Sequence, residues 1–122
     1  MKREILIIED DSEIRNTMID FLEDEGFVVR AAENGAQGIS ILQESETLPG
    51  LIFLDIMMPV MDGIEFRSTQ LKDVNYSKIP TVIFSADGRV NQKVDTAGTV
   101  EVLKKPVELD DVINLANKYC SE

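Results

Sequence analysis

The chain contains short apolar runs, each followed at once by polar residues. Buried strands are predicted at residues 5–8, 51–54 and 81–84, where each run is four residues long and almost wholly apolar. Such runs are typical of parallel strands that are covered on both faces. Weaker strands are predicted at residues 27–32 and 100–103, where polar residues interrupt the pattern.

Between the strands, apolar residues recur at helical spacing. In the first interval one face of a helix is defined by Ile14, Met18, Phe21 and Leu22. Ser12 can cap the start of this helix, and Gly26 lies just past its end. Similar patterns predict helices at residues 36–42, 90–97 and 109–120. Helix propensity predicts a further helix at residues 64–72, where the apolar spacing is irregular. Five strands that alternate with five helices predict an α/β fold, a doubly wound parallel sheet with right-handed crossovers.

Composition narrows the class of protein. A length of 122 residues suits one domain. Its 23 acidic and 12 basic residues give a formal charge of -11, which repels nucleic acids and anionic membranes, so proteins or cations are the expected partners. The sequence has neither a membrane-spanning run nor a signal-peptide pattern, so we expect a soluble, cytoplasmic protein. The lack of histidine excludes serine–histidine hydrolase chemistry and histidine metal sites, and the single cysteine, Cys120, is interpreted as a structural thiol.

Polar residues of chemical interest follow the predicted strands directly. Glu9 and Asp10 come after the first strand, Asp55 after the third, Ser85 after the fourth and Lys105 after the fifth. Because the carboxyl ends of parallel strands lie side by side, these residues should converge in one cleft. Clustered carboxylates resist ionisation unless a cation joins them. Mg²⁺ suits such a site, since it takes one or two carboxylates and leaves positions for water and phosphate oxygens.

The same residues form the signature of a known family. The motifs are Glu9-Asp10 after the first strand, Asp55 followed by Pro59 and Asp62-Gly63, Ser85-Ala86 after the fourth strand, and Lys105-Pro106 after the fifth. With these motifs the chain resembles the receiver domain of two-component response regulators over nearly its whole length. The resemblance implies a flavodoxin-like sheet with strand order 2-1-3-4-5. It also implies that residues 1–122 form a single receiver domain without an effector domain.

The resemblance assigns roles to individual residues. Asp55 would be the phosphoryl acceptor, attacking the phosphohistidine of a histidine kinase or phosphotransfer protein. Lys105 would pair with Asp55 before transfer and with a phosphoryl oxygen afterwards, while Ser85 would bind another oxygen. The chain would then switch protein–protein interactions, and its only catalysis would be self-phosphotransfer and autodephosphorylation.

The resemblance also implies a Mg²⁺ site. Asp10, Asp55 and the backbone carbonyl of Met57 would bind the ion directly, whereas Glu9 would act mainly through a bound water. The ion would offset the charge that the transferring phosphoryl group spreads over its oxygens. The neighbouring Asp11 is interpreted as a residue of the helix entry, where negative charge is favoured.

The chain departs from the family pattern beyond Ser85. Val102 occupies the usual position of an aromatic switch residue, and the segment between Ser85 and Lys105 is shorter than usual, which predicts an atypical output surface. Asp87 could orient the water that hydrolyses an acyl phosphate, so we expect it to set the dephosphorylation rate. An interaction module that keeps the fold but has lost phosphorylation control is therefore an alternative. A hydrolase is disfavoured because Met57 stands where such enzymes place a second acid.

Overall fold

The fold is built on a parallel sheet. The structure is a computed structural model that describes residues 4–56, 61–85 and 99–120. The strands are β1 (Glu4–Ile8), β2 (Val28–Ala32), β3 (Leu51–Asp55), β4 (Thr81–Ser85) and β5 (Thr99–Lys104). Every neighbouring pair is parallel, and the order is β2-β1-β3-β4-β5. The predicted sheet and its order are confirmed, with β2 and β5 at the two edges.

Helices connect the strands in the described part of the chain. They are α1 (Ser12–Asp24), α2 (Gly35–Glu44), α3 (Gly63–Lys72) and α4 (Leu109–Cys120), with a short 3₁₀ helix at Tyr76–Lys78. The further helix predicted at residues 90–97 lies outside the described residues, as do Met57 and Asp87. Among the helices of the described ranges, none has the length and apolar character required to cross a membrane.

Local hydrogen bonds define the ends of α1. Oδ1 of Asp11 accepts hydrogen bonds from the backbone N–H groups of Glu13 at 2.9 Å and Ile14 at 3.1 Å. Asp11 is therefore the N-cap, and the prediction that Ser12 caps this helix is wrong, because Ser12 is already its first residue. Gly26 lies just past the helix end, as predicted, with a φ of 92° that favours glycine.

The buried face of α3 is partly polar. Phe66 packs in the core, but Arg67 and Gln70 on the same face are also 0% exposed. Arg67 Nη1 donates to Gln70 Oε1 at 2.7 Å, and Gln70 Nε2 donates to Thr81 Oγ1, at the start of β4, at 3.0 Å. Directional hydrogen bonds as well as apolar contacts therefore fix α3 against β4.

The sheet has a hydrophobic core on each face. On one face Ile5, Ile7, Phe53 and their neighbours pack against α1 and α4, and on the other Leu6, Ile8, Leu54 and their neighbours pack against α2 and α3. Residues 5–8 and 51–54 are therefore buried on both sides, as their apolar runs predicted. The residues that follow these runs emerge together at the carboxyl edge of the sheet.

We predict that replacing the observed cap residue destabilises α1 and that replacing the predicted one does not. Asp11→Ala should lower the free energy of unfolding by about 1 kcal/mol, because it leaves two helix N–H groups without their acceptor. Ser12→Ala should change it by less than about 0.5 kcal/mol. Urea unfolding monitored by circular dichroism measures both. Equal effects of the two substitutions would contradict this assignment of the cap.

Candidate functional site

The ends of β1 and β3 bring acidic residues together. Ile8 is in register with Leu54, so Glu9 and Asp55 occupy neighbouring positions where their strands end. One carboxylate oxygen each from Glu9, Asp10 and Asp55 lie within 4.8 Å of one another. Glu9 is 0% exposed and Asp55 is 2% exposed, whereas Asp10 is exposed. Two carboxylates of the cluster are thus buried, and the third borders solvent.

The ammonium group of Lys105 bridges the two buried carboxylates. Its Nζ lies 2.9 Å from Glu9 Oε1 and 3.3 Å from Asp55 Oδ1. The contact with Glu9 Oε1 is an ion pair without the geometry of a directed hydrogen bond. Lys104, the last residue of β5, is exposed. The structure therefore places Lys105, and not its neighbour, beside the acidic cluster.

Burial makes the ionised form of Asp55 unfavourable. Loss of hydration is the largest cause that raises the pKa of Asp55 from 3.8 to about 7, and the adjacent Glu9 carboxyl acts in the same direction while Lys105 opposes it. Burial lowers the pKa of Lys105, but its contacts with Glu9 and Asp55 outweigh this and raise that pKa overall. One ammonium group therefore offsets only part of the negative charge of the two buried carboxyl groups.

One oxygen of Asp55 is well suited to a metal ion. Oδ2 is buried and meets no hydrogen-bond donor among residues 4–56, 61–85 and 99–120. It lies in a cluster whose donors are all carboxylate oxygens, the ligands that Mg²⁺ prefers. The residues present thus fit a hard divalent cation, with Asp10 and Asp55 as ligands and Glu9 close by. Met57, whose carbonyl completes the expected set, lies outside the described residues.

Gly63 allows α3 to begin directly against the site. Its N–H donates to the carbonyl oxygen of Ile56 at 2.8 Å. A Cβ atom at this position would lie 2.5 Å from the carbonyl oxygen of Asp55 and 2.7 Å from Ile56 Cα, so any side chain would displace backbone. Asp62 caps the helix by accepting from the N–H of Glu65. Asp62 and Gly63 together therefore fix the start of α3 against the end of β3.

Ser85 and Val102 lie on the strands next to the acidic cluster. Ser85 is the last residue of β4, the strand that pairs with β3, so its backbone reaches the same edge of the sheet as Asp55. Val102 is in register with Ile83 and is 36% exposed. The position expected to hold an aromatic residue therefore presents a small aliphatic side chain at the surface of β5.

Arg15 is a site neighbour that sequence reasoning missed. Its Nη1 donates to the carbonyl oxygen of Glu9 at 2.8 Å and to that of Asp10 at 3.4 Å. One feature of the sequence indicates this contact. Arg15 lies about one helical turn after the acidic residues 9–11, close enough for its side chain to reach their backbone. Hydropathy patterning treats such a residue as a surface charge, although its side chain is only 14% exposed.

Comparison with known proteins identifies the family of this chain. The family model described as "Response regulator receiver domain" matches residues 5–117. The chemotaxis protein CheY of Bacillus subtilis is 36% identical over 123 residues, which cover 97% of this chain and 98% of that protein. The response regulator Rre1 of Synechocystis is 32% identical over 111 residues, covering 88% of this chain and 47% of Rre1. The chain thus spans nearly all of one relative and about half of the other.

Solved structures share the fold. The response regulator protein TrrA from Thermotoga maritima, crystallised in complex with Mg(2+)-BeF, superimposes with a TM-score of 0.82 at 22% identity, over 96% of this chain and 98% of that one. Receiver domains are signalling phosphoacceptors, a class distinct from classical enzymes. The chain belongs to the response regulator receiver domain family.

The raised pKa of Asp55 predicts that the metal-free protein loses stability as pH rises. The carboxyl group ionises near 3.8 in the unfolded chain but keeps its proton to about 7 in the folded one. Between these values the folded state binds more protons, so the free energy of unfolding falls with increasing pH. Asp55→Asn should remove this dependence and stabilise chelator-treated protein by about 1–3 kcal/mol at about pH 8, less than the full shift because the Lys105 contact is also weakened.

Urea unfolding from about pH 4 to about pH 8 measures this difference between the wild-type and variant proteins. Asp20→Asn, at an exposed position in the middle of α1, is the matched control and should leave the pH dependence unchanged. If the stability of Asp55→Asn protein had the same pH dependence as that of the wild type, burial would not raise the pKa of the Asp55 carboxyl group.

Proposed function

We propose that this chain accepts a phosphoryl group on Asp55 from a phosphohistidine of a histidine kinase or phosphotransfer protein, with Mg²⁺, and thereby switches protein–protein interactions. The observation that carries the proposal is the environment of the Asp55 carboxyl group. This group is buried at the end of β3, where one oxygen meets no hydrogen-bond donor in the described part of the chain and the other lies 3.3 Å from the ammonium group of Lys105.

The environment of Asp55 suits a carboxylate nucleophile. One Asp55 oxygen would form the new bond to phosphorus while the bond from phosphorus to the imidazole nitrogen breaks, and the electron pair stays on the imidazole. Lys105 already contacts both Glu9 and Asp55, so its ammonium group is placed to bind a phosphoryl oxygen without a large movement. Bound by Asp10 and Asp55, Mg²⁺ would supply positive charge to the phosphoryl oxygens.

A cleft beside Lys105 offers a route for the phosphodonor. It has a volume of about 280 Å³ and opens between α1 and the segment that leads into α4. Ile14, Val107 and Leu109 supply apolar lining, and Glu13 lies on the α1 side. We infer that an amphipathic element of the partner packs here, because the apolar lining gives affinity while Glu13 and Lys105 offer one charged contact of each sign.

Covalent labelling tests the acceptor assignment. Wild-type protein with Mg²⁺ and a small-molecule phosphodonor such as phosphoramidate should gain one phosphoryl group, and chelation of Mg²⁺ should suppress the gain. Asp55→Asn should reduce labelling to background, because an amide cannot form the acyl phosphate. Intact-mass spectrometry is the measurement. Asp20→Asn, an exposed aspartate of α1, is the control and should label normally. Persistent labelling of Asp55→Asn protein would refute the assignment.

A second candidate function is favoured by one observation. Val102, exposed on β5, replaces the aromatic residue that receivers commonly use to report phosphorylation. The chain could then present its partner surface constitutively and keep phosphorylation chemistry without its usual readout. A partner's affinity for the beryllofluoride-saturated protein, compared with its affinity for the untreated protein, separates the two functions. Equal affinities favour the constitutive module.

A further inference from the structure

Arg15 connects the helix that follows the acidic turn to the backbone of that turn. Its guanidinium Nη1 donates to the carbonyl oxygens of Glu9 and Asp10 at 2.8 and 3.4 Å. Its Nη2 lies 3.9 Å from Glu33 Oε1, on the connection between β2 and α2. The Arg15 side chain is 14% exposed and that of Glu33 is 66% exposed, so the ion pair is open to solvent on the Glu33 side. The hydrogen bond to the Glu9 carbonyl is partly buried, whereas the longer one to the Asp10 carbonyl is exposed.

The acidic turn is where the chain leaves the sheet. The N–H of Glu9 still donates to the carbonyl oxygen of Ala32 on β2 at 3.0 Å, which extends the strand ladder by one residue. The N–H of Asp11 then donates to Glu9 Oε2 at 3.3 Å, which orients the Glu9 carboxylate. Asp10, the exposed member of the cluster, has no such contact to its carboxylate from the described ranges. Its position is determined by the backbone on either side, and Arg15 binds that backbone.

We propose that Arg15 is a positioning residue for the cation site. By bonding the two successive carbonyl groups it holds the turn in the conformation that directs the Glu9 and Asp10 carboxylates toward Asp55. The proposal rests on the proposed function, since it concerns Mg²⁺ binding by the same carboxylates. A side chain of this kind acts on a metal through the groups that carry the ligands, and loss of such partners typically weakens metal binding.

Two physical effects of Arg15 on a cation have opposite signs. Its guanidinium group carries a positive charge, so its field repels a divalent cation nearby. Its hydrogen bonds order the turn before the cation arrives, which favours binding because less conformational entropy is lost. Removing the side chain therefore strengthens Mg²⁺ binding if repulsion dominates and weakens it if ordering dominates. The two carbonyl contacts and the low exposure of the side chain lead us to expect that ordering dominates.

The test is Mg²⁺ affinity of the full chain measured by isothermal titration calorimetry. Arg15→Met keeps the apolar stem and removes both charge and donors, so it should bind Mg²⁺ roughly tenfold more weakly than the wild type. Arg15→Lys keeps the positive charge and one donor group, so its Mg²⁺ affinity should lie between those of the wild type and Arg15→Met. Arg30→Met is the matched control, because Arg30 pairs with Glu4 and Ser45 at the opposite end of β1. It should lower stability while leaving Mg²⁺ affinity unchanged.

A second measurement separates positioning from general stability. The Mg²⁺ concentration that gives half-maximal labelling by phosphoramidate should rise in Arg15→Met by the same factor as the dissociation constant, with the rate at saturating Mg²⁺ largely kept. Wild-type affinity or tighter binding in Arg15→Met overturns the proposal. If Arg15→Met does not fold, Arg15→Lys carries the same comparison. A wild-type chain that binds no Mg²⁺ would instead refute the proposed function.

Discussion

One constraint determines the arrangement of this molecule. Two carboxyl groups are buried side by side, with one ammonium group between them. Glu9 and Asp55 lie where a low-dielectric core meets solvent, and burial together with the adjacent Glu9 carboxyl raises the pKa of Asp55. Lys105 offsets part of this repulsion. The remaining imbalance of charge is maintained by burial that a surface cluster would lack.

The sheet makes this juxtaposition possible. β1 and β3 are neighbours in the centre of the sheet, so residues 9 and 55 meet although they are far apart in the chain. Because side chains alternate between the two faces of a strand, a shift of one residue in this register would turn one apolar set out of its core. The same packing that stabilises the fold therefore fixes the spacing of the two acids. Gly63 adds a local condition, since only glycine permits α3 to begin against the carbonyl of Asp55.

Much of this arrangement could be predicted from the sequence, and the exceptions have physical reasons. Apolar runs identified the buried strands, and the residue after each run identified the site, because burial on both faces leaves a strong pattern. The cap of α1 was misplaced by one residue, since Asp11 and Ser12 are both good caps and only backbone conformation separates them. Arg15 was missed because its contacts with the site are hydrogen bonds to backbone carbonyl groups, which no side-chain pattern reports.

The location of Lys105 has a mechanical consequence. It directly follows β5, an edge strand with a backbone partner on one side only, and the pairing of β5 with β4 is interrupted by a register shift between Thr81 and Val82. The attraction between Lys105 and the two buried carboxyl groups therefore holds the end of this edge strand toward the centre of the sheet. A reaction that changes the charge on Asp55 would change this electrostatic attraction. It would therefore change the force that acts on the end of β5.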